Sequence, residues 1–217
     1  MAVGIARTLG IDLVDNFQAP YLSTSIQEFW RRWHISLSMW LRDYLYISIG
    51  GSRAGLARQA ANLMVTMTIC GLWHGAGWTF VIWGVLHGAF RAGNLWLRQR
   101  PLPALLGWAL TFGLTNYFWL YFRARSLDDA MVGNAKIVQW VLHPSRPVVP
   151  LGISLILLAV LVTDLWIKRR GYLVPLEITG LTTRRAIAWG VLCGALLALA
   201  IVLSVGRPTE QFIYFQF

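Results

Sequence analysis

Gly71-Leu72-Trp73-His74-Gly75-Ala76-Gly77-Trp78 sits inside 32 consecutive residues, 59–90, that contain no Lys, Arg, Asp or Glu. A bilayer's hydrocarbon core is about 30 Å thick and is crossed by about 20 helical residues. As one helix the run would extend about 48 Å at 1.5 Å per residue. That is too long for a straight crossing, so the spacing predicts two segments separated by a break around 75–77. A titratable imidazole in such a medium is costly and commonly marks a site or a proton path. The chemistry is therefore sought first at His74.

Working outward, three more uncharged runs follow, at 101–122, 147–163 and 186–206. The 217-residue chain is 57% hydrophobic and 13% charged, with mean hydropathy +0.56, against about 25% charged residues in soluble domains. These features predict an all-α polytopic helical membrane protein of about five membrane segments, one or two of them short or re-entrant. They form one domain over 1–217, with an interfacial region at 1–58 and membrane segments over 59–206. The net charge of +10 does not point to nucleic acid, because the basic residues cluster between apolar runs. Threading five segments places ten Lys/Arg on one face, in loops 42–58, 98–100 and 168–185, and five on the other. The positive-inside rule makes the richer face cytoplasmic. Cys70 and Cys193 fall inside apolar runs and read as small buried hydrophobes rather than a disulfide. Residues 1–14 read as a short helix, with no cleavable signal peptide.

Upstream of the long run, Ser25 and Glu28 form a capping box that opens an amphipathic helix over 26–47. With Phe29 as zero and about 100° per residue, Trp40, Trp33, Tyr44, Leu37, Trp30 and Leu41 fall between about 0° and 120°. Arg31, Arg42, Glu28, Arg32 and Asp43 occupy roughly 200° to 320°, and His34 joins the apolar stripe near 140°. Trp and Arg at this density suit the headgroup level or a wet cavity.

On a continuous helix, Gly71, His74, Gly75 and Trp78 would share a face, and the glycines would admit another backbone or a narrow substrate. His74 can then be a general base taking a hydroxyl proton, or a packing histidine bonded to a neighbouring carbonyl. His34 reads as a satisfied structural residue, or as a site residue whose neighbours Arg31 and Arg42 neutralise an anionic group. His87, about 220° around from His74 on a continuous helix, faces away and reads as helix packing. His143 reads as solvated. No His/Cys/Glu spacing supports a metal site, and no nucleophile elbow supports Ser-His-Asp catalysis. Gly50-Gly51-Ser52-Arg53 is either a phosphate-cradling turn or an ordinary basic interfacial loop.

Phe29-Trp30-Arg31-Arg32-Trp33-His34-Ile35-Ser36-Leu37-Ser38, then Leu41-Arg42-Asp43-Tyr44-Leu45-Tyr46, resembles the signature of the membrane-bound O-acyltransferases. Gly71-Leu72-Trp73-His74-Gly75-Ala76 resembles that family's catalytic histidine segment. Asn16-Phe17, Pro20-Tyr21, Gly50-Gly51-Ser52-Arg53 and Phe212-Ile213-Tyr214-Phe215-Gln216-Phe217 fit as well. The branch most resembled is the alginate O-acetylase type; the teichoic acid D-alanyl transferases read differently before His34. The likeness is dense from about Gly10 to Gly88.

The resemblance implies a tunnel through the inner membrane. There an acyl thioester, acetyl-CoA or an acyl carrier protein, would meet a polysaccharide hydroxyl, with no tightly bound cofactor. It implies His74 as general base and His34 as the family's second histidine. Arg42 and Asp43 match the signature, and they and the neighbouring Trp73 and Trp78 are candidate substrate contacts. Implied partners are the lipid bilayer, a polysaccharide acceptor and periplasmic acetyl-transfer proteins. Since family members are about twice as long, the chain is expected to be a C-terminal half, whether a fragment, a split gene or a truncated reading, with an N-terminal half as a further partner. The rival expectations are another acceptor (peptidoglycan, cellulose, a teichoic acid, a lipid) or a non-catalytic membrane module or transporter-like fragment.

Overall fold

A computed structural model describes Ala6, residues 9–53, 55–97 and 102–143, and Val162 and Leu165. The expected segments at 147–163 and 186–206, apart from Val162, lie outside the described residues, as do Cys193 and the basic loops 98–100 and 168–185. Among the described residues there are six α-helices and no strand: α1 (Ile26–Arg32), α2 (Ile35–Trp40), α3 (Gly55–His74), α4 (Trp78–Leu97), α5 (Ala104–Arg123) and α6 (Leu127–Leu142). A π-helical turn, Leu41–Tyr46, continues α2. Residues 11–14 carry no regular structure, so the short helix expected over 1–14 does not reach its expected end.

The uncharged run breaks where expected. Gly75, Ala76 and Gly77 separate α3 from α4, because two glycines within three residues give up helical backbone at the greatest entropic saving. The two helices then run back along each other as the most extensive packing pair among the described elements. Glycines on both helices bring their backbones close along the seam. A methyl group at Gly71 would overlap the carbonyl oxygen of Phe80, and one at Gly84 the carbonyl oxygen of Met67. One at Gly88 would stand 3.1 Å from Met64 Cα.

The single amphipathic helix expected over 26–47 is interrupted. Ser25 caps α1 as the sequence indicates, its hydroxyl accepting from Glu28 N at 3.2 Å. The Glu28 carboxylate, however, accepts from the Thr24 amide (2.8 Å) rather than from the cap residue, and holds Arg32 at 2.7 Å. The helix stops at Trp33, and His34 takes a left-handed conformation, φ 44°, before α2 begins. The cause lies upstream. Phe17 bridges Trp33, Gln18 N donates to Arg32 O (2.9 Å) and Ile35 N donates to Asn16 O (3.1 Å). The Asn16 side chain accepts from both Ser36 N (2.9 Å) and Ser36 Oγ (2.7 Å), acting as a cap supplied from outside the helix. The 16–18 segment thus takes over hydrogen bonds that a continuous helix would have used.

Part of the apolar stripe finds the core, Phe29, Trp30, Leu37 and Leu41 packing with Met67, Cys70, Trp83 and Phe118. Trp40 and Tyr44, expected on the same stripe, are exposed instead, because the break at His34 and the π-helical turn change the helical register. α5 seats on the chain before α1, with Trp108 Nε1 donating to Tyr21 O at 2.9 Å and Gly107 facing Thr24 O. α6 docks on α5 through Tyr117 OH donating to Asn134 Oδ1 (2.7 Å) and Asn134 Nδ2 donating to Tyr121 OH (3.0 Å).

Polarity is distributed in an unusual way. Asn62, Thr66, Thr79, Thr111 and Thr115 are buried, while Leu56, Val65, Ile69, Leu105, Met131, Val138, Val141 and Leu142 are exposed. No helix among the described residues is long and apolar enough to cross a membrane. α3, α4 and α5 each have 20 residues, about the required length. Their Trp, Tyr, Asn, Gly and Arg content is what lowers the hydropathy.

Candidate active site

His74 is the last residue of α3, and its neighbours are rings. It is 8% exposed, with Trp73 at 4.8 Å between centroids, Phe122 at 5.0 Å, Trp83 at 5.3 Å and Phe80 at 6.5 Å. Trp83 and Phe122 meet it edge to face, at 90° and 80°. Nδ1 of His74 is buried and has no hydrogen-bond partner among the described residues. The packing-histidine alternative, in which the imidazole bonds a neighbouring carbonyl, therefore has no such bond at Nδ1. The ring is held by aromatic contact.

The shared face expected for Gly71, His74, Gly75 and Trp78 does not form, because the helix ends at His74. Gly71 receives the backbone of α4, which is the close approach its glycine was expected to permit. Trp78 opens α4, is 70% exposed and makes no ring contact with His74. Of the two tryptophans expected near the site, only Trp73 touches the imidazole.

His34 comes from the break between α1 and α2 and makes no direct ring contact with His74 among the described residues. A succession of rings joins the two: Phe17 at 6.3 Å from His34, then Trp33, Trp119 and Phe122. Burial pushes the His34 pKa below 6.5. Its Nδ1 also has no partner among the described residues.

Arg42 and Asp43 stand apart from the imidazoles in the π-helical turn. They pair with each other, Arg42 Nε to Asp43 Oδ1 at 2.6 Å, and both are exposed. Arg42 holds the Asp43 carboxyl below its usual range through that bond. Arg42 also lines a cavity of about 700 Å³ with Arg31, Arg91, Gln27, Gln59 and Asn94; no carboxylate is among its lining residues, and neither His74 nor His34 reaches it. Gly50 and Gly51 donate their N–H groups to Ile47 O (3.1 Å) and Tyr46 O (2.8 Å). The turn consumes its own donors, as an ordinary loop does, rather than presenting them to a phosphate. Among the described residues no three His, Cys, Asp or Glu side chains converge to hold a metal.

His87 packs between helices as expected, but not turned away from the ring that His74 meets. It is fully buried, accepts from Trp30 Nε1 at its Nδ1 (3.3 Å) and lies 4.7 Å from Trp83, the ring that also meets His74. The 220° offset held only for an unbroken helix; after the turn at 75–77, α4 carries Trp83 and His87 back beside α3. That signal was available, since the same glycines predicted the break.

The family model described as the membrane-bound O-acyltransferase family matches residues 3–124. The chain is 44% identical over 184 residues to "Probable alginate O-acetylase AlgI" of Azotobacter vinelandii, a match covering 81% of this chain and 37% of that protein. It is 48% identical over 133 residues to the protein of the same name in Pseudomonas aeruginosa, covering 60% of this chain and 26% of that one. Against "Peptidoglycan O-acetyltransferase" of Helicobacter pylori it is 45% identical over 137 residues, again 60% and 26%. The matches thus span between about a quarter and little more than a third of the length of these curated relatives.

Proposed function

The chain belongs to the membrane-bound O-acyltransferase family, and from that premise we propose that the protein moves an acyl group, acetyl in particular, from a thioester to a hydroxyl of an exported polysaccharide such as alginate. The observation that carries this reading is His74: a buried imidazole in a cage of Trp73, Phe80, Trp83 and Phe122, with Nδ1 unpartnered among the described residues. In the proposed step, the acceptor's O–H proton passes to His74 as its oxygen attacks the thioester carbonyl. The C–O bond forms, the C–S bond breaks, and the imidazolium returns its proton to the departing sulfur. General base catalysis of this kind contributes about 10²–10⁴ in rate. The surrounding rings exclude the water that would otherwise hydrolyse the thioester.

The donor is proposed to be a thioester on a phosphate-bearing carrier, coenzyme A or an acyl carrier protein. Its support is the cavity bearing Arg31, Arg42 and Arg91 with no lining carboxylate, since guanidinium groups are well matched to phosphate. A polysaccharide acceptor is supported by the names of the relatives, which act on alginate and on peptidoglycan. A multi-pass position in the bacterial inner membrane, with periplasmic acetyl-transfer proteins as partners, completes the proposal. The outward-facing apolar side chains and buried threonines support that placement, as groups facing lipid and a bundle interior would be arranged.

The test is acyl transfer in membranes of cells expressing the protein, from a radiolabelled acetyl thioester to alginate. His74→Ala is expected to abolish transfer. Transfer at the wild-type rate would remove His74 from the chemistry. A non-catalytic membrane module would then be the better reading, in keeping with a cavity that His74 does not line.

A further inference from the structure

Most catalytic histidines are oriented by a hydrogen bond at the nitrogen facing away from the reaction. His74 has no such bond at Nδ1 among the described residues, so another device must set the plane of its ring. Trp83 stands at 90° to that ring, 5.3 Å away, and is 1% exposed. One helical turn further along α4, His87 packs against the same Trp83 at 4.7 Å and 64°. His87 in turn accepts from Trp30 Nε1 at 3.3 Å. An indole nitrogen only donates, so His87 Nδ1 must be the bare nitrogen, and the neutral ring carries its proton on Nε2. That Nε2 is buried with no partner among the described residues. Leaving a buried donor without a partner is costly. A Phe or Leu would fill the position without that cost, which sets His87 apart from ordinary packing.

We infer that His87 is a positioning residue: Trp30 fixes its tautomer, His87 holds the Trp83 indole, and Trp83 sets the plane of the His74 imidazole. This rests on the reading of His74 as the base. His87 does not touch His74 directly; it acts through Trp83, against which both histidines pack. Trp30 belongs at once to this stack and to the lining of the arginine-bearing cavity. The indole N–H therefore links the wall of the cavity to the packing behind the base.

The experiment uses the same membranes and compares wild type with His87→Phe, His87→Asn, Trp30→Phe and His74→Ala. His87→Phe keeps an aromatic ring but loses the acceptor. It is expected to lower kcat about tenfold or more while KM for the thioester stays unchanged. His87→Asn presents an amide oxygen where Nδ1 was and is expected to recover most of that loss. Trp30→Phe removes the donor and is expected to act in the same direction as His87→Phe. In ¹⁵N spectra of histidine-labelled wild-type protein, His87 is expected to show a protonated Nε2 and a bare Nδ1. Wild-type kcat in both His87→Phe and Trp30→Phe, or a fall in kcat that merely tracks a fall in thermal stability across all three variants, overturns the inference. If His74→Ala is inactive in that case, the base assignment stands on its own. If His74→Ala is active, the base assignment fails first and the positioning role fails with it.

Discussion

The Cα of Gly71 faces the backbone carbonyl of Phe80 so closely that no side chain fits between them. This one contact fixes how near α4 comes to the end of α3. Gly71→Ala is expected to force the helices apart. Overpacking against rigid main chain should cost about 3 kcal/mol, read as a lower melting temperature in detergent. Because His74 lies one turn further on, acyl transfer should fall as well. Gly93, inside α4, has open space around it, so Gly93→Ala is the control: it should leave transfer unchanged and, as the better helix former, hold or raise the melting temperature.

His34 sits at φ 44°, where an L residue with a Cβ is strained by roughly 1–2 kcal/mol. His34→Gly and His34→Ala both delete the imidazole, but only glycine relieves the backbone. His34→Gly should therefore be more stable than His34→Ala by about 1 kcal/mol. Equal melting temperatures would show that the left-handed turn is not retained in solution.

Burial holds the His34 pKa below 6.5. As pH falls through 6.5 the unfolded chain takes up this proton before the folded one does, so stability is lost in that window; the loss levels off once pH passes the lowered folded value. Asparagine tolerates the left-handed region and does not titrate. The fall in melting temperature between about pH 7.5 and pH 5.5 should accordingly be smaller in His34→Asn than in wild type. An identical fall would place the effect elsewhere.

Arg31 and Arg42 line the cavity proposed for the donor. Arg31→Ala and Arg42→Ala should each raise KM for a phosphate-bearing thioester about tenfold, with kcat little changed, the pattern of lost ground-state binding. Added salt should narrow the difference, as it screens exposed charge. Asp43 competes for Arg42 at 2.6 Å, so Asp43→Asn should lower KM. Unchanged KM in all three would separate the cavity from the donor.

Much of the fold could be read from local chemistry. The glycine break at 75–77, the Ser25 cap and the inward face of Phe29, Trp30, Leu37 and Leu41 were all set by neighbours in sequence, and each is observed. The interruption at His34 was not visible, because Asn16 and Gln18 cause it through hydrogen bonds that span about twenty residues. α6 escaped notice because its apolar pattern is interrupted by Asp128, Asp129 and Lys136. Ser126 accepting from Asp129 N (3.1 Å) was a usable start signal. At the site, His74 stood out as an imidazole in an uncharged run and Trp73 as its neighbour. Trp83 and His87 became legible only once the chain was turned back on itself; the rotation argument that set His87 aside assumed a straight helix.

A seam made of glycine has no slack. The separation of α3 and α4 is set by main-chain atoms, which every sequence shares, and so is the spot at which position 83 arrives beside position 74. The main chain thus brings position 74 to its place, while the plane of the His74 ring is left to the aromatic side chains around it. An exchange of Trp83 would accordingly leave the imidazole at its address and turn its face.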